Sequence, residues 1–266
     1  MTIGRTMLLA IDIGNSHTVI GLFDRKTLSR EWRIETVRDH TAVELAERVL
    51  PLLRQQSIDP TRVDTIGVSN VVPALNHSYH QMATSAFGIP PIIIDGSLDL
   101  GFRILYKDPM AVGADRLCNA AAGFTKHAGP LIIVDYGTAT TYDIVALNGD
   151  YVGGVIAPGV ETSAADLHRR AARLPRIELQ LPATLIGRDT TSSMQAGILY
   201  GAIDATERMV DRLKKEIQRT EGTLPKVIGT GGFSAFIAEH SKVLEHVEPH
   251  LVLDGIRIIC ERVRPS

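Results

Sequence analysis

The chain is poor in cysteine and almost without net charge, and each shortage removes a class of explanation. Two cysteines in 266 residues, Cys118 and Cys260, give neither a disulfide framework nor a metal-ligand spacing. They read as buried thiols of a reducing cytoplasm. A formal net charge of −2 leaves no basic field for nucleic acid. No apolar run reaches the roughly 18–20 residues that cross a bilayer, so no membrane partner is expected. Met1 to Arg5 lacks the apolar stretch and cleavage site of a secretory signal. A cytoplasmic location is therefore expected. Low-complexity segments and flexible linkers are missing too. What is there is a hydrophobic fraction of 44% in 266 residues, enough for two ordinary domains with packed cores.

The most informative feature is a repeat. Leu8-Leu9-Ala10-Ile11-Asp12-Ile13-Gly14-Asn15 returns 123 positions later as Leu131-Ile132-Ile133-Val134-Asp135-Tyr136-Gly137-Thr138. Each copy is a strand-like apolar run ending in a carboxylate. Each follows it with a glycine that lets backbone N–H groups approach an anion. Two such loops facing each other would hold the phosphates of one nucleotide. A lone Asp-x-Gly-Asn reads more readily as a plain turn, but plain turns rarely repeat their strand context.

The surrounding pattern repeats as well. Thr18–Phe23 reads as a returning strand, Leu28–Glu35 as a third strand, and Thr41-Ala-Val-Glu44 as a capping box. Val43, Leu45, Ala46, Val49, Leu50 and Leu53 then recur at helical spacing. A strand at Thr65–Ser69, a helix over Ala74–Phe87 and a strand at Ile92–Ile94 complete an α/β unit on a mixed sheet. In the second half, Leu131–Asp135, Thr140–Leu147 and Tyr151–Ala157 repeat the three strands, with a turn at Asn148-Gly149. Helices are expected near Glu161–Ala172, Ser192–Glu221 and Leu253–Arg262, and a strand at Lys226–Gly229 before the tight loop Thr230-Gly231-Gly232. The two lobes are expected to divide as 1–117 and 118–266, meeting in a helix around Val112–Phe124.

Several constellations carry chemistry. Asp12 can orient Mg²⁺, directly or through water, and the Asn15 side chain can donate to a phosphate oxygen. In Val112-Gly113-Ala114-Asp115-Arg116, a glycine-led helix start presents an aspartate that can act as general base and an arginine that can grip a carboxylate. A capping aspartate beside a solvated arginine is the plainer alternative. Thr138 beside Asp135 suits a phosphate or a hard cation, whereas Thr140 and Thr141 are explained by strand preference. The corners at Gly153-Gly154, Pro158-Gly159 and Thr230-Gly231-Gly232 either admit an adenosine or only make turns. His77 and His80 have no third ligand, and His168-Arg169-Arg170 reads as a solvated helix face.

These residues together resemble the type III pantothenate kinase family of the actin–hexokinase–Hsp70 superfamily. The resemblance runs nearly end to end, through Asp12-Ile-Gly-Asn-Ser16, Tyr106-Lys-Asp-Pro, Gly113-Ala-Asp-Arg116, Asp135-Tyr-Gly-Thr-Ala-Thr-Thr141, Gly153-Gly-Val-Ile-Ala-Pro-Gly159, Leu174-Pro175, Ile186-Gly-Arg-Asp-Thr190, Ser193-Met-Gln-Ala-Gly197 and Thr230-Gly-Gly232. The Gly-Ala-Asp-Arg tetrad between two Asp-x-Gly loops is the specific part. The resemblance implies two duplicated ribonuclease-H-like (actin-like ATPase) lobes, each a mixed sheet flanked by helices. It implies transfer of the ATP γ-phosphoryl group to pantothenate, the first step of coenzyme A biosynthesis. Asp12, Ile13, Gly14, Asn15, Ser16, His17, Thr18, Val19 and Thr138 would bind ATP. Asp115 would be the general base, and Tyr106, Gly113, Ala114, Asp115, Arg116 and Thr190 would meet pantothenate. Asp135 would bind K⁺ or NH₄⁺, with Mg²⁺ near Asp12. The family is dimeric, with active sites at the subunit interface. Departures are small: Ser16 replaces a common threonine, Val19 a lysine of some members, and Asp189 a common asparagine. Another small-molecule kinase of the superfamily and a non-catalytic regulator are the rival classes.

Overall fold

In the computed structural model, residues 7–264 are described; the segment Met1 to Arg5 lies outside them. The first strand, β1 (Met7–Ile13), is buried almost throughout, as expected of a central strand covered on both faces. It pairs antiparallel with β2 (His17–Asp24), which pairs antiparallel with β3 (Thr27–Glu35). β4 (Val63–Asn70) lies parallel to β1, and β5 (Ile92–Ile93) parallel to β4. The sheet order is β3-β2-β1-β4-β5. The edge strand β3 carries its charges outward, which protects an open edge.

Helix α1 (Ala42–Gln55) starts at the expected capping box. The Thr41 hydroxyl accepts from the Glu44 N–H at 3.3 Å, and the Glu44 carboxylate accepts from the Thr41 N–H at 2.8 Å. Its buried row is Leu45, Val49 and Leu53, one residue per turn. Val43, expected on the apolar side, is 67% exposed, because it lies off that row. Helix α2 (Asn76–Phe87) ends at Gly88, whose φ of 74° is the left-handed stop that glycine supplies.

The second sheet follows the same plan. β6 (Leu131–Tyr136), β7 (Ala139–Val145) and β8 (Tyr151–Pro158) form an antiparallel meander, and β9 (Lys226–Gly231) lies parallel to β6. β10 (His246–Val247) completes the order β10-β9-β6-β7-β8. That last strand escaped the sequence pattern because it is two residues long and exposed. Helix α4 (Val160–Arg170) follows β8, and α6 (Ser234–His240) follows β9. Helix α5 (Thr190–Glu221) begins two residues before the expected Ser192. Asp189 caps it, accepting from the Ser192 N–H at 2.8 Å, and this adds the extra turn residues.

The chain divides into two units inside α3 (Ala114–His127), between Ala122 and Gly123. The division expected from the sequence was 1–117 and 118–266. The first unit also takes in the chain from Leu251 onward, and the second is Gly123–His250. The reason is packing: α7 (Leu251–Val263) buries Leu253, Ile256 and Ile259 and lies on β1, β2 and β4. Gly255 sits so close to the Cys118 backbone that a Cβ there would collide with it. Cys118 and Cys260 are both buried free thiols of this unit. Among the described residues, no helix is long and apolar enough to cross a membrane.

Candidate active site

In the first unit, the strand-end aspartate leads into a hairpin in which the Gly14 N–H donates to the His17 carbonyl at 3.0 Å. A Cβ at Gly14 would lie 2.9 Å from that oxygen, so the turn needs glycine. Asn15, Ser16 and His17 are exposed and, with Arg33, Glu35 and Thr36, line an open depression. Ile13 and Thr18 are instead core side chains, so within residues 12–19 they can offer a ligand only backbone atoms. The Thr18 hydroxyl is bonded to the Thr36 hydroxyl at 2.9 Å. Val19 is partly buried and pairs with Arg33 across β2 and β3.

Two arginines at this loop were missed in the sequence. Arg33 approaches His17 Nδ1 at 3.0 Å, and Arg38 donates to Asn15 Oδ1 at 3.3 Å. The Thr36 N–H donates to the Ser16 carbonyl at 3.0 Å. The pairing of β2 with β3, with Val19 opposite Arg33 and His17 opposite Glu35, brings Arg33 to the loop, and strand register is not visible in a motif. Ser69 was missed as well. It is fully buried on β4, in register with Asp12, and its hydroxyl donates to Asp12 Oδ1 at 2.8 Å.

The same unit holds the Gly-Ala-Asp-Arg tetrad. The Leu117 N–H donates to the carbonyl of Gly113, the residue before α3, at 3.2 Å. Asp115 Oδ1 accepts the Arg116 N–H at 2.8 Å, so its carboxylate satisfies one first-turn N–H, but Arg116 is buried and not the solvated arginine of the plainer alternative. That bond does not exclude chemistry. A Cβ at Gly113 would lie 2.5 Å from Asp115 Oδ1, so the carboxylate folds back over bare glycine. Burial raises the Asp115 carboxyl above its ordinary value, while the Arg116 N–H and the Arg116 charge pull it down. The residue keeps partial surface exposure even though its carboxyl is densely surrounded; the burial of the carboxyl is what sets the direction. Ala114 and Arg116 are buried. Cys118 is pushed well above the ordinary thiol value by burial first, then by the charges of Asp12 and Asp115. Tyr106 stands 37% exposed ahead of the short turn Pro109–Ala111.

In the second unit the Gly137 N–H donates to the Ala139 carbonyl at 3.0 Å. Asp135 pairs with Thr141 on β7 and with Thr230 on β9. Gly231 has φ 81°, and a Cβ there would lie 2.5 Å from Asp135 Oδ1. The Thr138 carbonyl accepts from the Gly159 N–H at 3.1 Å and from the Thr162 hydroxyl at 2.7 Å. The corner at Gly159 therefore ties the start of α4 to the second loop, and a Cβ there would collide with the Gly137 carbonyl. Beneath the loop, burial raises the Tyr136 hydroxyl, which bonds to Thr206 at 3.3 Å. Thr190 is the exposed first residue of α5.

Two sheets of one order, each with an aspartate and a glycine hairpin at the end of its first strand, define a duplicated actin-like ATPase fold of the class that includes sugar kinases. Solved structures agree on the fold. A Campylobacter jejuni chain described as a candidate Baf family transcriptional activator is 20% identical with TM-score 0.57, covering 96% of this chain and 98% of that one. An activator of the 2-hydroxyisocaproyl-CoA dehydratase from Clostridium difficile, with bound ADPNP, is 11% identical with TM-score 0.51, covering 97% and 94%. The family model of type III pantothenate kinase matches residues 8–212. A type III pantothenate kinase of Anaeromyxobacter sp. (strain Fw109-5) is 42% identical over 258 residues, 97% of this chain and 100% of the relative. The chain belongs to the type III pantothenate kinase family.

Proposed function

We propose that the chain transfers the γ-phosphoryl group of ATP to the primary hydroxyl of pantothenate, giving 4′-phosphopantothenate and ADP. The observation that carries this is the first unit's assembly. Asp12 at the glycine hairpin, bonded by the Ser69 hydroxyl, and Asp115 at the start of α3 both stand in that unit, in a chain of this family. The hydroxyl oxygen of pantothenate bonds to the γ-phosphorus, the bond from that phosphorus to the β–γ bridging oxygen breaks, and Asp115 takes the hydroxyl proton. Transfer of this kind depends mostly on positioning and on offsetting charge. A carboxyl raised by burial holds that proton more readily than an ordinary aspartate. Arg116 pairs with the pantothenate carboxylate, and Tyr106, Gly113, Ala114 and Thr190 shape the acceptor site.

Residues 12–19 and Thr138 serve ATP. The hard oxygen donors at Asp12 fit Mg²⁺, and Asp135 beside the bare Gly231 fits a monovalent cation, K⁺ or NH₄⁺. When bound, these ions would offset negative charge on the phosphate oxygens. The working form is a cytoplasmic homodimer with active sites at the subunit interface. The likeness to the Campylobacter chain concerns fold alone and lends no regulatory role. The test is product mass after incubation with Mg-ATP and pantothenate. A phosphorylated pantothenate supports the assignment. ADP formed only with a sugar or acetate would move it to another kinase of the fold.

A further inference from the structure

We propose that Ser69 is a positioning residue for the phosphate-loop aspartate: its hydroxyl, bonded to Asp12 Oδ1, sets the carboxylate orientation needed to receive Mg·ATP. The inference rests on the ATP reading of the first loop. Three observations carry it. The Ser69 side chain is fully buried, so its hydroxyl has no water to fall back on and its bond to Asp12 at 2.8 Å is costly to leave unmade. The bond crosses the sheet between residues in register on β1 and β4, two strands held rigid by their ladder, so it fixes the carboxylate relative to the backbone. The second sheet repeats the device in composition. Thr230, 2% exposed on β9, is in register with Asp135. A buried hydroxyl residue thus stands beside the strand-end aspartate in both units, although the two sequences around it, Gly-Val-Ser-Asn and Ile-Gly-Thr-Gly, have little else in common.

Groups that orient a metal-binding carboxylate typically change metal affinity by about 10–100-fold when removed.

The experiment is calorimetric ATP binding to the full chain, with Mg²⁺ and with chelator, for the unmodified protein, Ser69→Ala, Ser69→Cys and Ser69→Thr. Steady-state KM values for ATP and pantothenate and a thermal melt accompany it. Ser69→Ala is expected to weaken Mg·ATP binding by about 10–100-fold. Metal-free ATP binding and the pantothenate KM should stay within about twofold. Ser69→Thr should restore Mg·ATP binding to within a few-fold, since threonine holds the matching place on β9. Should the alanine variant melt far below the parent, Ser69→Cys decides. It keeps the volume, replaces the strong donor, and should lose Mg·ATP affinity like alanine. Equal losses with and without metal, or a pantothenate KM that rises in step, would overturn the positioning role. No ATP binding by the unmodified protein would overturn the loop reading and the inference together, whereas normal binding that Ser69→Ala leaves unchanged would overturn the inference alone.

Discussion

The two units share a strand order and an Asp-x-Gly hairpin, yet they surround that hairpin differently. The first hairpin runs from Gly14 to His17 between the last paired residues of β1 and β2. It is open, and Arg33 and Arg38 bond to its side chains. The second, Gly137 to Ala139, is shorter by one residue, and its Thr138 carbonyl is tied to the start of α4. A duplicated backbone has thus been given a cationic approach in one copy and an oxygen-rich, helix-braced setting in the other. The difference lies in the strands and helices next to each loop. Anions are drawn by arginine and bare N–H groups, and hard cations by carboxylate and carbonyl oxygens. The proposed function accordingly puts the chemistry in the first unit and the monovalent cation in the second.

Asp115→Asn should break that division hardest. The expected loss in kcat is about 10²–10⁴-fold, with ATP affinity nearly intact. The same variant should melt at a higher temperature at pH 7. The sign follows from linkage. A carboxyl raised by burial favours its protonated form in the native state, so the ionised form costs stability at neutral pH. That cost diminishes as pH falls through the raised value and is gone below the ordinary 3.8. For the parent enzyme, the acid limb of kcat/KM should accordingly fall at a pH above 3.8. A melt lowered by Asp115→Asn would show that the carboxylate stabilises the fold.

Gly231→Ala attacks the second copy. Its backbone at φ 81° costs a β-carbon about 1–2 kcal/mol, and that carbon would press on Asp135 Oδ1. A lower melting temperature together with a lost K⁺ response is expected, read by thermal melts and by rates in K⁺ and Na⁺ buffers. Asp135→Ala is the cleaner cut: the K⁺ response should vanish while the Na⁺ rate stays within a few-fold. A K⁺ response that survives would detach the cation from this loop. The smallest effects come from the helix caps. Thr41→Ala and Asp189→Ala should each lower the melting temperature by a few degrees. Only Asp189→Ala, beside Thr190, should also raise the pantothenate KM. Equal KM values in the two variants would remove Thr190 from the acceptor site.

Strands and helices with strong apolar period were legible in the sequence. So was the duplication, because the repeat preserves both the apolar run and the residue types at its end. Less legible was whatever depends on register or on contacts distant in sequence. Arg33 reaches the first loop only through the β2–β3 pairing, and Ser69 reaches Asp12 only through the β1–β4 pairing. The return of α7 to the first unit was hidden for the same reason. Its apolar face gives a helix but does not say which sheet it covers. Gly159 was left open between an adenosine contact and a turn, and the structure gives it the close approach to the second loop. The Asp115 motif was readable as a helix start. Its burial was not, since that comes from the tertiary setting of α3.

The central claim, a pantothenate kinase with its chemistry in the first unit and its cation site in the second, is tested most directly by ADP release from Mg-ATP. The unmodified protein would be assayed with and without pantothenate, in K⁺ and in Na⁺ buffers. Release that requires pantothenate and is faster in K⁺ is the predicted result. Release indifferent to pantothenate, or equal rates in the two buffers, would contradict the acceptor in the first case and the cation site at Asp135 in the second.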